Sequence, residues 1–241
     1  MKFLTIDTTT KVTALALNEG ERLVGEGFLH TTKTHSERII PMLDQLLTAA
    51  AWTLQELDMI GVVRGPGSFT GIRIGIATAQ GLAQVLKLPL IAVVSLDALA
   101  WAGKGRTEDV VPILDARKNE WYTARYQWTR GEEKAKCLTP PRAMPTDQWL
   151  EYLRGLDRPI CFVGDAVGKA KGRIEEILGE RAVILPEYIT LPRGAYAARA
   201  VWQRWQETGE GERVEPYYIR FSEAEVNWAK KEEARRSKGH E

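Results

Sequence analysis

The stretch Val62 to Ile76, VVRGPGSFTGIRIGI, decides how the rest of the chain is arranged. The β-branched run that ends at Val63 predicts a buried strand. The turn Gly65-Pro66-Gly67 ends this strand, because proline lacks an N–H and glycine adopts positive φ. From Thr70 onward, small and apolar residues recur at steps of three and four, which predicts a helix that continues to Leu86. The sequence therefore predicts a strand, a glycine turn and a helix in succession.

A glycine turn of this kind has two interpretations. Its N–H groups and the helix N-terminus are suited to holding a phosphate, with Gly65 and Gly67 as backbone contacts. Alternatively, the glycines turn the chain and pack one helix against another, in this protein or in a partner, and the pattern alone favours this second interpretation. No Gly-Lys-Ser/Thr follows and no Gly-x-Gly-x-x-Gly opens the helix. The stretch is therefore neither a Walker A loop nor the dinucleotide-binding fingerprint.

The composition predicts a soluble, cytoplasmic protein. The 241 residues fit one large domain or two modest lobes with a real core. Lysine plus arginine number 33 against 32 for aspartate plus glutamate, so the chain has no global electrostatic signature of nucleic-acid binding. Cys137 and Cys161 match no metal or redox spacing, which favours buried thiols in a reducing compartment. We expect no signal peptide and no membrane span.

Two parts of the chain follow the same plan. In the first part, a strand ends at Asp7, further strands and a helix follow, and the central strand leads into the glycine turn. In the second part, a strand ends at Asp115, and strands and helices alternate again through the turn Gly164-Asp165-Ala166. This internal repeat predicts a duplicated α/β fold. Its two lobes, each a mixed β-sheet flanked by helices, would enclose a cleft.

The polar and flexible segment that begins at Gly103 is the best boundary between the lobes. We expect an N-terminal lobe with partner-binding helices at residues 1–102 and a C-terminal lobe at residues 103–191. Residues 192–228 would supply a terminal helix and an aromatic anchor that pack back between the lobes. Residues 229–241 carry mixed charges with nothing apolar to bury, which predicts a flexible tail.

A helix is expected to begin at His35. The stretch Thr34-His35-Ser36-Glu37 has the spacing of a capping box, in which the Thr34 hydroxyl accepts from the Glu37 N–H and the Glu37 side chain reaches back. The apolar residues that follow form a stripe broad enough to pack on both a sheet and another helix.

Four stretches taken together resemble one family: Thr5 to Thr9, Gly65 to Gly75, Asp115 to Tyr122 and Pro216 to Arg220. They are similar to the TsaB family, whose members are needed for threonylcarbamoyladenosine formation on transfer RNA. The resemblance spans nearly the whole chain. It implies a duplicated actin-like (ASKHA) ATPase fold. It also implies a non-catalytic scaffold that pairs with its paralogue TsaD, which transfers the threonylcarbamoyl group to the adenosine next to the anticodon.

The resemblance implies further partners and a missing metal site. TsaE, an ATPase, would bind the assembled pair, tRNA would be reached only through the complex, and a homodimer is expected when TsaD is absent. TsaD holds a metal through two histidines four apart in the segment that matches Val94 to Leu99. Here those positions hold Ser95 and Leu99, which are poor ligands for a transition metal. We therefore expect no metal site and no enzyme activity of the chain's own.

The resemblance also implies vestigial nucleotide contacts. They lie in turns that match the phosphate and adenosine contacts of the fold: Asp7, Thr8, Thr9, Gly65, Gly67, Asp115, Gly164 and Asp165. An ordinary polar hairpin turn would favour the same residues around Asp7. Active ATPases of this fold usually have glycines where this chain has Ala116 and Arg117, and side chains there would crowd a phosphate. We therefore expect weak binding of ATP or ADP, or none, by the isolated chain.

Two first-lobe helices are the candidates for a partner surface, because both carry more apolar or small residues than one sheet face consumes. The candidate contact residues are His35, Ile39, Leu43, Leu46, Gly71, Ile72, Gly75, Ile76, Ala79 and Ala83. We expect them to pack on the equivalent helices of TsaD, or of a second copy, in a pseudo-twofold bundle. The alternative is that both stripes belong to the internal core.

A different class of function stays open: an active ATP-dependent kinase or ATPase of the same fold. Such an enzyme needs a carboxylate base that faces the cleft and a tightly held nucleotide, and Asp7 and Asp115 are the candidates for the base. Strong ATP binding with turnover by the purified chain would favour this function.

Overall fold

The computed structural model describes residues 1–31 and 34–220. The strands in this part are β1 (Lys2–Asp7), β2 (Val12–Glu19), β3 (Arg22–His30), β4 (Met59–Val63), β5 (Leu90–Val93), β6 (Asp109–Asp115), β7 (Glu120–Gln127), β8 (Lys136–Pro145), β9 (Ile160–Val163) and β10 (Ala182–Ile184). The helices are α1 (His35–Ala50), α2 (Phe69–Leu86), α3 (Ser95–Ala100), α4 (Thr146–Arg154), α5 (Val167–Leu178), α6 (Glu187–Thr190) and α7 (Gly194–Thr208). The predicted tail, residues 229–241, lies outside the described residues, as do residues 221–228 of the predicted terminal segment.

Two five-stranded sheets repeat one topology. The strand order is β3-β2-β1-β4-β5 in the first sheet and β8-β7-β6-β9-β10 in the second. In the first sheet β1 runs antiparallel to β2 and parallel to β4, and in the second β6 runs antiparallel to β7 and parallel to β9. Corresponding strands thus occupy the same places and run in the same directions. The predicted duplicated α/β fold is confirmed.

Helices cover both sheets because each strand alternates its side chains between two faces. Residues such as Ile6 and Val62 point toward α1 and α2, which form one core with them. Their neighbours Phe3 and Val63 point the other way, into a core shared by α3, α7 and the second sheet. The helices α4 and α5 cover the remaining face of the second sheet. The central core between the two sheets therefore contains α3 and α7.

The two lobes are tied together by polar contacts around α3. The hydroxyl of Tyr126 in β7 donates a hydrogen bond to the Asp97 carboxylate in α3. The indole N–H of Trp128 donates to the Ala100 carbonyl at 2.9 Å. Strands of the first sheet end at Val93 and strands of the second begin at Asp109, so the boundary predicted after residue 102 lies in the segment between the sheets.

The last described residues, 212–220, form a segment without regular secondary structure that we call the C-terminal strap. The Tyr217 N–H donates to the Arg64 carbonyl at 2.8 Å, next to the glycine turn of the first lobe. Arg220 then forms an ion pair with Glu120 of the second lobe. The strap therefore connects the two lobes on the side where the glycine turn lies.

The glycines of α2 and of the turn before it are required by contact with the β1–β2 turn of the same chain. A Cβ on Gly71 would lie 2.0 Å from the Thr8 carbonyl oxygen, and one on Gly75 would lie 2.4 Å from the Thr8 Oγ1. A Cβ on Gly67 would lie 2.1 Å from the Thr9 carbonyl oxygen. The Thr8 hydroxyl also donates to the Gly71 carbonyl at 2.7 Å. The glycine stripe thus serves an internal contact, but with the β1–β2 turn rather than with another helix as the packing interpretation expected.

Most of the residues expected to contact a partner are buried inside the chain, so that expectation was wrong for them. Covering one face of the first sheet takes the apolar stripes of both helices, so most of the expected contact side chains are buried in the chain's own core. The buried side chains are Ile39, Leu43, Ile72, Ile76, Ala79 and Ala83. Gly71 and Gly75 are buried against Thr8, and His35 and Leu46 are half-buried. The buried residues of this set therefore belong to the internal core, which was the alternative interpretation of the two stripes.

The start of α1 differs from the predicted capping box. The helix begins at His35 as expected, but the Thr34 hydroxyl forms no capping bond. The Glu37 N–H instead donates to the Thr34 main-chain carbonyl at 3.3 Å. The helix is anchored by the His35 ring, whose Nε2–H donates to the Thr10 carbonyl at 2.9 Å and whose Nδ1 accepts from the Thr13 hydroxyl at 2.7 Å. Contact with the β1–β2 turn therefore replaces the local cap.

Two glycines on α2 give a matched test of the internal contact. We expect Gly71→Ala to destabilise the fold by about 1–3 kcal/mol or more, because its methyl group would overlap the Thr8 carbonyl. Gly81→Ala, whose added Cβ would meet nothing within 4 Å, should stabilise the helix by roughly 0.5–1 kcal/mol. Urea unfolding of both variants measures the difference. Equal effects would contradict the assigned contact.

His35 should make stability depend on pH. Burial lowers the pKa of His35 from its usual 6.5, so the folded state prefers the neutral ring. The stability that His35 contributes is complete above about pH 6.5 and is lost as the pH falls toward the lower folded-state pKa. Urea unfolding between pH 8 and pH 5 should show a smaller advantage of the wild type over His35→Gln at the acid end. A constant difference would contradict this assignment.

Candidate functional site

The candidate site begins with the turn between β1 and β2. Asp7 is buried, and its Oδ1 accepts from the Thr9 N–H at 2.9 Å and from the Thr9 hydroxyl at 2.7 Å. Burial raises the pKa of Asp7, and the two bonds from Thr9 oppose this shift. The carboxylate thus stabilises its own turn, as aspartate commonly does.

The N-terminus of α2, which the sequence suggests as a possible phosphate site, is in contact with the same turn. The Ser68 N–H donates to the Thr9 carbonyl at 2.6 Å, and the Gly71 N–H donates to the Ser68 hydroxyl oxygen at 3.3 Å. The Gly65 carbonyl accepts from the Ser95 N–H at 2.8 Å. A main-chain carbonyl therefore lies where an anion would approach the Ser68 N–H.

The second-lobe turns lie next to each other. The Asp115 N–H donates to Asp165 Oδ1 at 3.2 Å, and the Lys169 ammonium lies 3.3 Å from Asp115 Oδ2. Burial raises the pKa of Asp165, while Lys169 and Lys11 act in the opposite direction. Lys11 belongs to the β1–β2 turn, so the charge of a first-lobe turn influences the Asp165 carboxyl of the second lobe.

Gly164 has a structural role in this arrangement. Its φ is +116°, and a Cβ there would lie 2.1 Å from the Ile113 carbonyl oxygen. Its N–H donates to the Thr190 carbonyl at 2.7 Å. Glycine is therefore required at this position by the backbone and by the close approach of β6.

A cavity of about 570 Å³ lies beside the β6–β7 turn, and sequence reasoning did not predict it. Three successive residues of this turn, Arg117, Lys118 and Asn119, have φ values of 61°, 52° and 59°, which non-glycine residues rarely adopt. The cavity is lined by Asp115, Arg117, Lys118, Asn119, Glu120, Trp121, Thr146, Asp147, Ala166, Lys169, Ala170 and Arg173. The sequence feature that could have predicted this turn is Asn119 after the basic pair, because asparagine tolerates the left-handed region.

Ser95 and Leu99, which stand at the positions that match the metal ligands of TsaD, make contacts within the chain. Ser95 is buried, and its hydroxyl donates to the Pro66 carbonyl at 2.6 Å. Leu99 is part of the central core. Within residues 1–31 and 34–220, no three His, Cys, Asp or Glu side chains cluster in a way that suits a metal ion. In the same part of the chain, no helix is long and apolar enough to cross a membrane.

Comparison with known proteins identifies the family. Residues 29–228 match the family model "TsaD: tRNA N6-adenosine threonylcarbamoyltransferase". The tRNA threonylcarbamoyladenosine biosynthesis protein TsaB of Bacillus subtilis is 34% identical over 228 residues, which cover 95% of this chain and 98% of that protein.

Solved structures agree with this match. YeaZ from Pseudomonas aeruginosa has a TM-score of 0.72 at 28% identity, with 90% of this chain and 99% of that chain covered. Component A of the Acidaminococcus fermentans (R)-2-hydroxyglutaryl-CoA dehydratase has a TM-score of 0.51 at 11% identity, over 87% of this chain and 100% of that one, and supports the fold alone. The fold is the expected duplicated actin-like fold. The chain belongs to the TsaB family of tRNA threonylcarbamoyladenosine biosynthesis proteins.

Proposed function

We propose that this chain is a non-catalytic scaffold and activator that pairs with TsaD for threonylcarbamoyl transfer to the adenosine next to the tRNA anticodon. Membership of the TsaB family supports a part in this pathway. The pairing and the lack of catalysis rest on the physical features described next.

The observation that carries the proposal is the outer face of α2. This helix has no charged residue from Ile74 to Leu86, although much of it lies at the surface. Val85 is 80% exposed, and Gly81 faces open space. An exposed helix of a monomeric protein normally carries polar and charged residues on its solvent face. The exposed residues of this part of α2 are Ala77, Gln80, Gly81, Gln84 and Val85. Such an uncharged, partly apolar face suits the surface of another protein.

The adjacent helix α1 carries a further exposed apolar residue, Ile40, which is 55% exposed. We call Ile40, Ile74, Ala77, Gly81 and Val85 the outer α1–α2 face. It lies on the two helices that the sequence indicated, but on residues other than the buried stripes. We propose that TsaD occupies this face, and that a second copy of the chain occupies it when TsaD is absent.

The cleft between the lobes is proposed to bind ATP or ADP weakly or not at all. The Thr9 carbonyl occupies the Ser68 N–H, and the Asp7 carboxylate is buried and engaged by Thr9. These contacts leave Asp7 poorly placed to act as a base in a kinase or ATPase. We further propose that TsaE binds the assembled pair, that tRNA is engaged through the complex, and that the chain acts in the cytoplasm.

Val85→Glu should abolish capture of TsaD. An unpaired carboxylate buried in an apolar contact costs several kcal/mol, so we expect affinity to fall by at least about a hundredfold. Because Val85 is exposed in the free chain, Tm should change little. Pull-down with tagged TsaD and thermal unfolding measure the two effects.

Tyr188→Glu is the matched control, because Tyr188 is 67% exposed and lies on α6, away from the outer α1–α2 face. It should retain TsaD. Normal capture of TsaD by Val85→Glu, or equal loss by both variants, would contradict the proposed interface.

Reconstitution tests the scaffold role. TsaD, TsaE and the enzyme that makes threonylcarbamoyl-adenylate should modify tRNA only when this chain is added. The chain alone, with ATP and magnesium, should hydrolyse no ATP above the buffer rate. Undiminished modification without the chain would refute the activator role, and ATP turnover by the chain alone would favour the kinase or ATPase alternative.

A further inference from the structure

A second cavity, of about 310 Å³, lies between β8 and α4. β8 is the edge strand of the second sheet, and α4 begins at the residue that follows it. Only these two elements line the space, which we call the β8–α4 cavity. Its lining residues are Leu138, Thr139, Pro140, Arg142, Met144, Gln148, Trp149 and Tyr152. The cavity therefore belongs to the second lobe alone, and its volume is at the lower end of pockets that bind small molecules.

The wall that β8 contributes is irregular. Two residues of β8, Pro140 and Pro141, oppose the single residue Ala124 of β7, and a second irregularity follows at Leu138. Proline has no N–H to donate to the neighbouring strand, and a bulge turns side chains away from their regular positions. Leu138 and Pro140 both line the cavity. The bulged edge of the sheet thus supplies an apolar wall.

The wall that α4 contributes is aromatic. Trp149 and Tyr152 lie three residues apart, on one face of the helix, and their rings stack with centroids 5.0 Å apart. Tyr152 is 43% exposed, so a ligand can reach its ring from solvent. Together with the β8 wall, these rings suit the apolar body of a ligand.

Trp149 also has a hydrogen-bond donor without an acceptor. Its side chain is only 1% exposed, and its indole N–H has no hydrogen-bond partner in the part of the chain that the structure describes. Buried donors in folded proteins are nearly always paired, because an unpaired one is costly. A ligand in the cavity, which the same indole lines, can supply the missing acceptor.

The cavity carries positive charge and no carboxylate. Arg142 is the one charged residue of its lining. The Nε–H of Arg142 donates to the Pro140 carbonyl at 3.3 Å, and no ion pair within residues 1–31 and 34–220 involves its guanidinium. The two terminal nitrogens of a guanidinium form a fork that matches the two oxygens of a carboxylate. The charge and the shape of this group therefore favour a carboxylate.

We propose that the β8–α4 cavity binds a small carboxylic acid with an apolar body. Arg142 pairs with the carboxylate, the Trp149 indole N–H donates to another oxygen of the ligand, and the ring of Tyr152 packs on the apolar body. One guanidinium matches one negative charge, whereas a doubly charged group would leave charge uncompensated among apolar walls. The inference does not rest on the pairing with TsaD, since the outer α1–α2 face belongs to the first lobe.

The test compares acids with their neutral counterparts. Full-length protein is titrated by calorimetry with N-acetyl-L-phenylalanine and N-acetyl-L-leucine, and with the amide of each, which lacks the negative charge. The variant Arg142→Gln removes the cation. The matched control Lys136→Gln removes one positive charge from the same strand at an exposed residue that does not line the cavity. NMR spectra of the indole N–H groups follow Trp149, whose signal is assigned with Trp149→Phe.

We expect at least one of the two acids to bind the wild type and Lys136→Gln alike. Loss of the charge-assisted pair should weaken binding about tenfold, both in Arg142→Gln and with the amide in place of the acid. The indole signal of Trp149 should move as the acid binds.

Three results would overturn the proposal. Neither acid binds at millimolar concentration, or the acid binds Arg142→Gln as tightly as Lys136→Gln, or the acid binds without moving the Trp149 signal. The amide comparison needs no variant, so equal affinity of acid and amide for the wild type would overturn it as well.

Discussion

The contact between the β1–β2 turn and α2 is the constraint on which the rest of the first lobe depends. Thr8 and Thr9 approach the helix so closely that Gly67, Gly71 and Gly75 admit no side chain. This approach fixes the helix on the sheet and gives the Ser68 N–H a partner within the chain. The same geometry would have to open before a phosphate reached the Ser68 N–H. A motif that looks suited to a ligand is thus satisfied by its own fold.

The two lobes share a topology but differ at their turns. In the first lobe, glycines let the helix and the turn close on each other. In the second, the β6–β7 turn has Arg117, Lys118 and Asn119 in the left-handed region, and it stands beside an open cavity. Duplication therefore preserved the sheet order while the chemistry at equivalent turns diverged. Fold alone does not decide what such a site binds.

Much of the architecture could be predicted from the sequence, because alternation of strands and helices and the repeated Asp7 and Asp115 turns are local signals. The division of the helix stripes into buried and exposed residues could not be predicted. A stripe such as Ile72 and Ile76 looks the same whether it meets a sheet or another protein, and only the assembled layers show which. The predicted cap at Thr34 was wrong for a similar reason, since the His35 ring instead bonds to a turn distant in sequence, which local spacing does not show. The cavity depends on positive φ at non-glycine residues, which composition does not reveal.

The C-terminal strap has a consequence for biosynthesis. Its bond from Tyr217 to the Arg64 carbonyl joins residues about 150 positions apart, and Arg220 reaches Glu120 across about 100. Contacts of such long sequence separation form late, since the chain between them must be ordered first. Until the ribosome has released the strap, the glycine turn therefore lacks the contact with Tyr217. Completion of the first lobe thus depends on synthesis of a segment that follows the whole second lobe, rather than on emergence of the first lobe itself.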